Sequence, residues 1–238
     1  MSDAPPVGER VDDREARAPE RRTLDGRYVS LRPADIADAA PLWSAAHDGS
    51  DEASRLWTYM PYGPFDDTDA MTVWLRERAS SDDPLFLTVV SRAGGPVGVT
   101  SFLNIDVVHR RLELGHIWYA PTAQRTEANT ESVFLMLREA FERLGHRRVE
   151  WKCDALNERS RGAALRLGFT FEGVFRQHMI VKGRNRDTAW FSMTDAEWPT
   201  ARWAFEAWIG ADPAERRSLA SLRDHRGAVS RARFPGAT

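Results

Sequence analysis

Residues 124–173 constrain the fold of this chain more than any other segment. They are typical of a polar loop, a helix, a strand and a second helix that ends at a glycine. The loop spans residues 124–129 and the first helix residues 130–144. Because the main-chain N–H groups at the start of a helix are unpaired and partly positive, this loop predicts a seat for a phosphate or diphosphate.

The sequence pattern also predicts the strand and the second helix of this segment. Apolar and charged side chains alternate over residues 149–153, which is the two-residue period of a strand. Asn157 is predicted to be the N-cap of a helix that ends at Leu167, and Gly168 the left-handed residue that stops it. A phosphate seat beside a strand and a polar helix cap suits a long phosphorylated cofactor lying in a groove.

Composition and charge exclude several classes of protein. The chain has 238 residues, 42% hydrophobic and 29% charged, which is ordinary for one large folded domain. The net charge of −2 argues against a nucleic-acid or membrane partner. There is neither an apolar run of about 18 residues nor the apolar core of a signal peptide, so we expect a cytoplasmic protein.

Cys153 is the single cysteine of the chain. It forms no internal disulfide, and it rules out a metal centre built from several cysteines. Its place in an alternating strand favours a buried structural thiol over a nucleophile, because reactive thiols need exposure and a basic neighbour. No metal is expected.

The composition of the two ends differs from that of the middle. Residues 1–22 have almost no large apolar side chains and are predicted to be disordered, while residues 23–209 form the folded domain. Residues 210–238 are predicted to be a polar, arginine-rich tail, interpreted as solvated rather than as an RNA contact.

The remaining elements predict a mixed, largely antiparallel sheet with helices packed on its faces. A hairpin is expected at residues 93–95 and a capping box at residues 194–197. Predicted strands cover residues 28–32, 85–90, 97–103, 111–119, 169–172 and 186–193, and predicted helices cover residues 35–46 and 66–79.

This order of elements resembles the GNAT acetyltransferase superfamily, and within it the Rim-type branch that acetylates the N-termini of ribosomal proteins. The resemblance covers roughly residues 24–209. It implies an α/β (α+β) acyl-CoA N-acyltransferase fold, in which a mostly antiparallel sheet is splayed at its centre and carries helices on both faces. Acetyl-CoA binds between the splayed strands, as a co-substrate. The motifs are the loop and helix at residues 124–144, Asn157-x-x-Ser160, Leu167-Gly168-Phe169 and Glu172-Gly173.

The phosphate loop departs from the family pattern. The family carries Gln/Arg-x-x-Gly-x-Gly/Ala, whereas Glu127 and Asn129 occupy the two small-residue places after Gln124. Asparagine caps helices and tolerates left-handed geometry. The carboxylate of Glu127 should repel a diphosphate unless it points elsewhere, and Arg125 is expected to offset its charge.

For the reaction, the resemblance and the strand pattern favour Glu113 as the base that takes a proton from the amine. The alternative is a surface glutamate paired with Arg110 or Arg111. His116 is expected on the opposite face from Glu113, as a hydrogen-bonded core histidine. His109, Glu172 and His178 are weaker candidates for the base.

The resemblance assigns Ser160 to protonate the departing thiolate and Asn157 to the pantetheine arm, with helix capping as the alternative for both. Backbone N–H groups near Trp118 or Tyr119 are expected to polarise the thioester oxygen. The full set of expected cofactor-binding residues is Trp118, Tyr119, Gln124, Arg125, Thr126, Ala128, Asn129, Thr130 and Asn157.

The aromatic loop at residues 57–65 is expected to build the acceptor pocket, with Trp57 and Tyr59 contacting the substrate. Packing of the loop onto the core is the alternative. The leading hypothesis is an N-acetyltransferase acting on a primary amine, either a protein N-terminus or a small molecule. The second is a protein of the same fold that binds acyl-CoA or regulates without turnover. Whether it forms a homodimer stays open.

Overall fold

The computed structural model describes the backbone of residues 5–233 and the side chains of residues 5–226. The eight strands are β1 (Leu24–Asp25), β2 (Val29–Pro33), β3 (Leu85–Ser91), β4 (Gly95–Asp106), β5 (Arg111–Tyr119), β6 (Arg148–Asp154), β7 (Thr170–Val181) and β8 (Arg184–Thr194). The seven α-helices are α1 (Ala39–Ala46), α2 (Asp51–Leu56), α3 (Thr68–Ala79), α4 (Glu127–Arg138), α5 (Glu158–Leu167), α6 (Trp198–Gly210) and α7 (Leu219–Arg233).

The eight strands form one sheet in the order β1-β2-β3-β4-β5-β6-β8-β7. Every neighbouring pair is antiparallel except β5 and β6, which are parallel. These two strands pair only over residues 111–113 and 148–150, although both continue further. The sheet is therefore splayed at its centre, and the predicted fold class is confirmed.

A β-bulge in β5 changes the direction of its side chains. Gly115 pairs with Ser101 and Trp118 with Val99, so β5 carries one more residue than β4 between the two pairs. His116 occupies the bulge with φ +52. The two-residue alternation of side chains between the faces of the sheet is interrupted at the bulge. Residues after it therefore lie on the face opposite to the one that a regular strand would give them.

Two hydrophobic cores lie on opposite faces of the sheet. Leu112 and Leu114 belong to the first core, which α4, α5 and α6 cover. Trp118 belongs to the second core with Phe86, beneath α1, α2 and α3. Since Tyr119 returns to the first core, the bulge reverses the parity of β5.

Helix α4 begins at Glu127, three residues before the predicted start at residue 130. The side chain of Thr126 accepts a hydrogen bond from the N–H of Ala128 and so acts as the N-cap. The prediction placed the cap too late because a threonine and an asparagine three residues apart both fit that role. Glu127, Ala128 and Asn129 therefore lie in the first helical turn.

The cap residues predicted for α5 are confirmed, whereas the capping box predicted at residues 194–197 is only half formed, because α6 begins at Trp198 and has no side-chain cap. Asn157 accepts from the N–H of Ser160 at 3.0 Å, and Gly168 ends α5 with φ +102. At the start of α6, Glu197 accepts from the N–H and hydroxyl of Thr194. Pro199 lies in the first turn of α6, where a missing N–H costs nothing.

The described residues on either side of residues 23–209 also contact the folded domain. Ala16 and Arg17 donate main-chain hydrogen bonds to Val107 and Leu144, so residues 16–17 are not a detached, disordered tail. Their backbone supplies the stabilisation that the composition did not predict. Residues 1–4 lie outside the described part of the chain. No helix among the described residues has the length and apolarity needed to cross a membrane.

Candidate active site

A cleft of about 670 Å³ opens where β5 and β6 separate. One end lies at the start of α4, and the other lies between the aromatic loop and the β7–β8 hairpin. Strand edges without a partner line its floor, because β6 ceases to pair with β5 after Glu150. Its lining includes Glu113, His116, Tyr119, Gln124, Asn129, Lys152, Cys153, Asn157, Ser160, Tyr59 and Met179.

Two residues of the predicted phosphate loop line this cleft, Gln124 and Asn129. Gln124 donates through its side chain to the carbonyl of Tyr119 at 3.1 Å, which fixes the turn out of β5. Arg125 adopts a left-handed φ of +61. Ala128 and Thr130 are buried and are not among the residues that line the cleft.

Arg166 brings a further positive charge to the start of α4. Its guanidinium donates to Asn129 Oδ1 at 2.7 Å and to Thr130 Oγ1 at 2.9 Å. Arg166 lies in the last turn of α5, where Arg223 of α7 donates to its carbonyl oxygen. An anion at this helix start would meet both the helix dipole and this cation. No local sequence pattern indicates this contact between α4 and α5.

The carboxylate of Glu127 points away from the cleft. It accepts a hydrogen bond at 2.6 Å from Arg216, which follows α6, and it is not part of the cleft lining. This hydrogen bond lowers the pKa of Glu127 below its usual range. The sequence-based expectation that Arg125 offsets this charge is wrong, because Arg216 does so. Because the carboxylate of Glu127 points away from the cleft, the electrostatic repulsion expected from its place in the loop is avoided.

Glu113 is a buried carboxylate at the point where the two strands separate. Its side chain is 2% exposed, and Oε2 lies 2.9 Å from Nζ of Lys152 and accepts from Asn104 at 2.8 Å. Burial raises the pKa of Glu113, and Lys152 opposes that rise. The alternative of a surface glutamate paired with Arg110 or Arg111 is wrong.

The other carboxylate oxygen of Glu113, Oε1, faces Gly115. A Cβ at Gly115 would lie 3.3 Å from that oxygen. The same Cβ would lie 2.8 Å from Cδ2 of Leu103, so glycine at this position leaves room for the side chains of both Leu103 and Glu113. Sequence analysis did not single out Lys152 and Asn104 as partners of Glu113, since each contact depends on the register of a neighbouring strand.

His116 lies on the same face as Glu113, and the prediction of opposite faces is wrong because of the bulge. Its ring lies 4.9 Å from Phe86 and 5.7 Å from Tyr62, centroid to centroid. Burial lowers the pKa of His116 to about 4, so the ring is neutral at physiological pH. No hydrogen bond to its ring nitrogens is found among the described residues.

Ser160 lies in the first turn of α5 and lines the cleft beside Cys153. Its hydroxyl oxygen accepts a hydrogen bond from Nε1 of Trp151 at 3.0 Å. Trp151 does not use the hydroxyl hydrogen of Ser160, for which the neighbouring thiol of Cys153 is a hydrogen-bond partner. Cys153 is buried, and burial raises the pKa of its thiol, in keeping with the predicted structural thiol.

The two aromatic residues at the end of β5 differ in position. The ring of Trp118 is buried in the second core, 5.3 Å from that of Trp57. Tyr119 lines the cleft, and burial raises its pKa to about 12. Side-chain contact of Trp118 with a cofactor is thus excluded by its packing. Its main-chain N–H faces β4, because Trp118 pairs with Val99 and Ala120, on the same side of the strand, donates to the carbonyl of Val97.

At the acceptor end, Tyr59 lines the cleft but Trp57 does not. Trp57 is 2% exposed, so the prediction that its side chain binds substrate is wrong; it packs the loop onto the core. The hydroxyl of Tyr59 donates to the carbonyl of Leu156 at 3.1 Å, which bridges the cleft between α2 and α5.

Lys182, at the tip of the β7–β8 hairpin, ties the hairpin to the aromatic loop. Its ammonium donates to the carbonyl oxygens of Trp57, Tyr62 and Gly63 at 3.0, 3.3 and 2.6 Å. These bonds fix the wall of the cleft opposite Met179. Sequence analysis missed Lys182 because its partners lie about 120 residues away.

The weaker candidates for the base are engaged elsewhere. Glu172 accepts from Arg148 at 2.7 Å, and His178 contacts the hydroxyl of Thr188 at 3.0 Å. Neither of them nor His109 lines the cleft. Among the described residues no group of three or more His, Cys, Asp or Glu side chains could hold a metal ion.

The family model for the acetyltransferase (GNAT) domain matches residues 29–170. This chain belongs to the GNAT acetyltransferase family. The matched residues include both splayed strands, the phosphate loop and α5. The GNAT family transfers acetyl groups from acetyl-CoA.

Solved GNAT structures agree with this fold. A GCN5-related N-acetyltransferase from Brucella melitensis is 40% identical, with a TM-score of 0.84, covering 88% of this chain and 97% of that one. A structure from Chromobacterium violaceum, described as a probable acetyltransferase of the GNAT family, is 38% identical, with a TM-score of 0.72. It covers 82% of this chain and 100% of that one.

A curated GNAT relative is the Bacillus subtilis (strain 168) protein named "Putative ribosomal N-acetyltransferase YdaF". It is 32% identical over 105 residues, which is 44% of this chain. The match spans 57% of that relative, less than two thirds of its length.

Proposed function

We propose that this GNAT protein is an acetyl-CoA-dependent N-acetyltransferase of the Rim-type branch, acting on a primary amine. The acceptor is a protein N-terminus or a small molecule. The observation that carries the proposal is the opening of β5 from β6 at Glu113, with a helix start at one end of the cleft. The name of the Bacillus subtilis relative supports the branch.

In this proposal the diphosphate of acetyl-CoA lies against the main-chain N–H groups of residues 125–130 and the cation of Arg166. The pantetheine arm follows the unpaired edge of β5, beside Asn157. Main-chain donors suit this role because they place no demand on side-chain type. Backbone N–H groups near Tyr119 would polarise the thioester oxygen as charge develops on it.

Glu113 is the group proposed to accept a proton from the acceptor ammonium, through Oε1. The neutral amine then attacks the thioester carbon, the C–N bond forms and the C–S bond breaks. Ser160 is proposed to donate its hydroxyl hydrogen to the departing thiolate, because Trp151 already donates to its oxygen. The nitrogen loses its second proton as the C–S bond breaks, and that proton restores the hydroxyl of Ser160, directly or through water. The products are an acetamide and free CoA, and the proton taken by Glu113 returns to solvent.

We expect Ser160→Ala to lower kcat by about tenfold to 100-fold at saturating acetyl-CoA, because thiolate protonation would be lost. The cap should survive, since Asn157 bonds the main-chain N–H of residue 160 and not its hydroxyl. Thiol release measures kcat, and thermal unfolding serves as the control for stability. An unchanged kcat would show that Ser160 only supports Trp151.

The function itself is tested in two steps. Isothermal titration with acetyl-CoA comes first, and absence of binding at millimolar ligand would reject the cofactor. Thiol release is then followed with a panel of small amines and peptides with free N-termini. Binding without turnover on any acceptor of the panel would favour the second hypothesis, an acyl-CoA-binding or regulatory protein.

A further inference from the structure

The side chain of Arg216 is built into the domain, although it lies beyond the residues that match the family. It is 10% exposed and lies over the ring of Trp208 at 4.3 Å. Nη2 donates to the hydroxyl of Tyr28 at 2.7 Å, and Nη1 donates to Glu127 at 2.6 Å. The predicted solvated tail therefore does not describe this arginine.

Glu127 is the partner that gives this contact its importance. It is the first residue of α4, at a place where related phosphate loops carry a small residue. A free carboxylate there would be drawn to the same partly positive N–H groups that would hold a diphosphate. It would also repel the diphosphate directly, since like charges a few ångströms apart repel even beside water.

We propose that Arg216 is a positioning residue of the cofactor site, which holds the Glu127 carboxylate away from the start of α4 so that these N–H groups stay available to the diphosphate. The inference rests on the proposed binding of acetyl-CoA. It makes the segment after α6 a functional part of the site. It also explains how this chain tolerates an acidic residue in its phosphate loop.

The geometry separates this role from direct binding. Arg216 does not line the cleft, and its guanidinium is occupied by Glu127, Tyr28 and the ring of Trp208. Arg166 is the arginine that reaches the loop residues Asn129 and Thr130. The effect of Arg216 on acetyl-CoA should therefore depend on the charge at residue 127.

The test compares acetyl-CoA dissociation constants by isothermal titration at constant salt. We expect Arg216→Gln to raise the Kd about tenfold, because the Glu127 carboxylate is released. Glu127→Gln should bind as well as the unaltered protein or more tightly. The double variant Glu127→Gln/Arg216→Gln should lie within about twofold of Glu127→Gln. Arg217→Gln is the matched control, since Arg217 is exposed and its side chain bonds only Ser221 among the described residues.

Two results would overturn the inference. Either Arg216→Gln binds acetyl-CoA as the unaltered protein does, or the double variant is as weak as Arg216→Gln. If Arg216→Gln fails to fold, the variant Glu127→Asp tests the inference instead. Aspartate keeps the negative charge, but its shorter side chain does not reach the guanidinium of Arg216. We then expect Glu127→Asp to bind several-fold more weakly than Glu127→Gln, and equal affinities would contradict the inference.

Failure of the proposed function looks different. An unaltered protein that does not bind acetyl-CoA removes the proposed function, and the inference with it. An unaltered protein that binds, with an affinity independent of residues 127 and 216, removes the inference alone.

Discussion

Glu113→Gln is expected to lower turnover at neutral pH by about 10²- to 10⁴-fold, the usual contribution of a general base. The amide keeps the shape of the carboxylate but cannot accept the ammonium proton. Affinity for acetyl-CoA should change little, because Glu113 lies at the opening between the strands and not at the start of α4. Thiol release at saturating acetyl-CoA gives the turnover, and titration gives the affinity.

Glu150→Gln provides the matched control for this variant. Glu150 is the register partner of Glu113 on β6 and is similarly buried, but it does not line the cleft. Both variants lose a buried charge, so comparable losses of stability are expected. Only Glu113→Gln should lose turnover per folded molecule. Equal turnover in the two variants would reject Glu113 as the base.

The pH profile of the unaltered protein offers a second check on Glu113. The base is active when ionised, and burial raises its pKa. Activity should therefore fall as pH decreases through that raised pKa, which lies above the pKa of an ordinary glutamate, about 4.3. A measured kcat/KM profile that stays flat down to that range would contradict the assignment.

Lys152→Met is expected to lower the free energy of unfolding by about 3 kcal/mol at pH 8, because it leaves the Glu113 carboxylate buried without its ion-pair partner. The two groups are 2.9 Å apart, and Glu113 is 2% exposed. Urea unfolding at pH 8 measures the change. The double variant Lys152→Met/Glu113→Gln should recover much of the loss, since the unpaired charge is gone.

The loss in Lys152→Met should depend on pH in a defined direction. Without Lys152, the pKa of Glu113 in the folded state rises further above its unfolded value. The folded state then binds the proton more tightly, so stability falls as pH rises from the unfolded pKa through the folded one. We expect a small deficit near pH 4 and a large one at pH 8. A deficit that does not vary with pH would show that Lys152 acts through packing alone.

Local patterns predicted much of the fold. The alternation over residues 149–153 gave β6, and the cap at Asn157 and the glycine at 168 gave the bounds of α5. These features depend on neighbouring residues alone, so they can be read from a sequence. The position of Glu113 on β5 was likewise readable, although its partners were not.

What the sequence could not show depends on contacts between distant segments. The bulge at His116 exchanges the faces of the sheet to which the following side chains of β5 point. The sequence of residues 111–119 alone does not predict it. Lys152, Lys182 and Arg216 acquire their importance from partners that only the folded chain brings near. Trp57 and Tyr59 look alike in an aromatic loop, yet one is buried and the other lines the cleft.

A crystal structure with acetyl-CoA bound would test the cofactor site most directly. We expect diphosphate oxygens about 3 Å from main-chain nitrogens of residues 125–130, with the thioester between β5 and β6 near Glu113. Glu127 should remain on Arg216. A diphosphate bound away from the start of α4, or a thioester outside the opening between these strands, would contradict the proposed acetyl-CoA site.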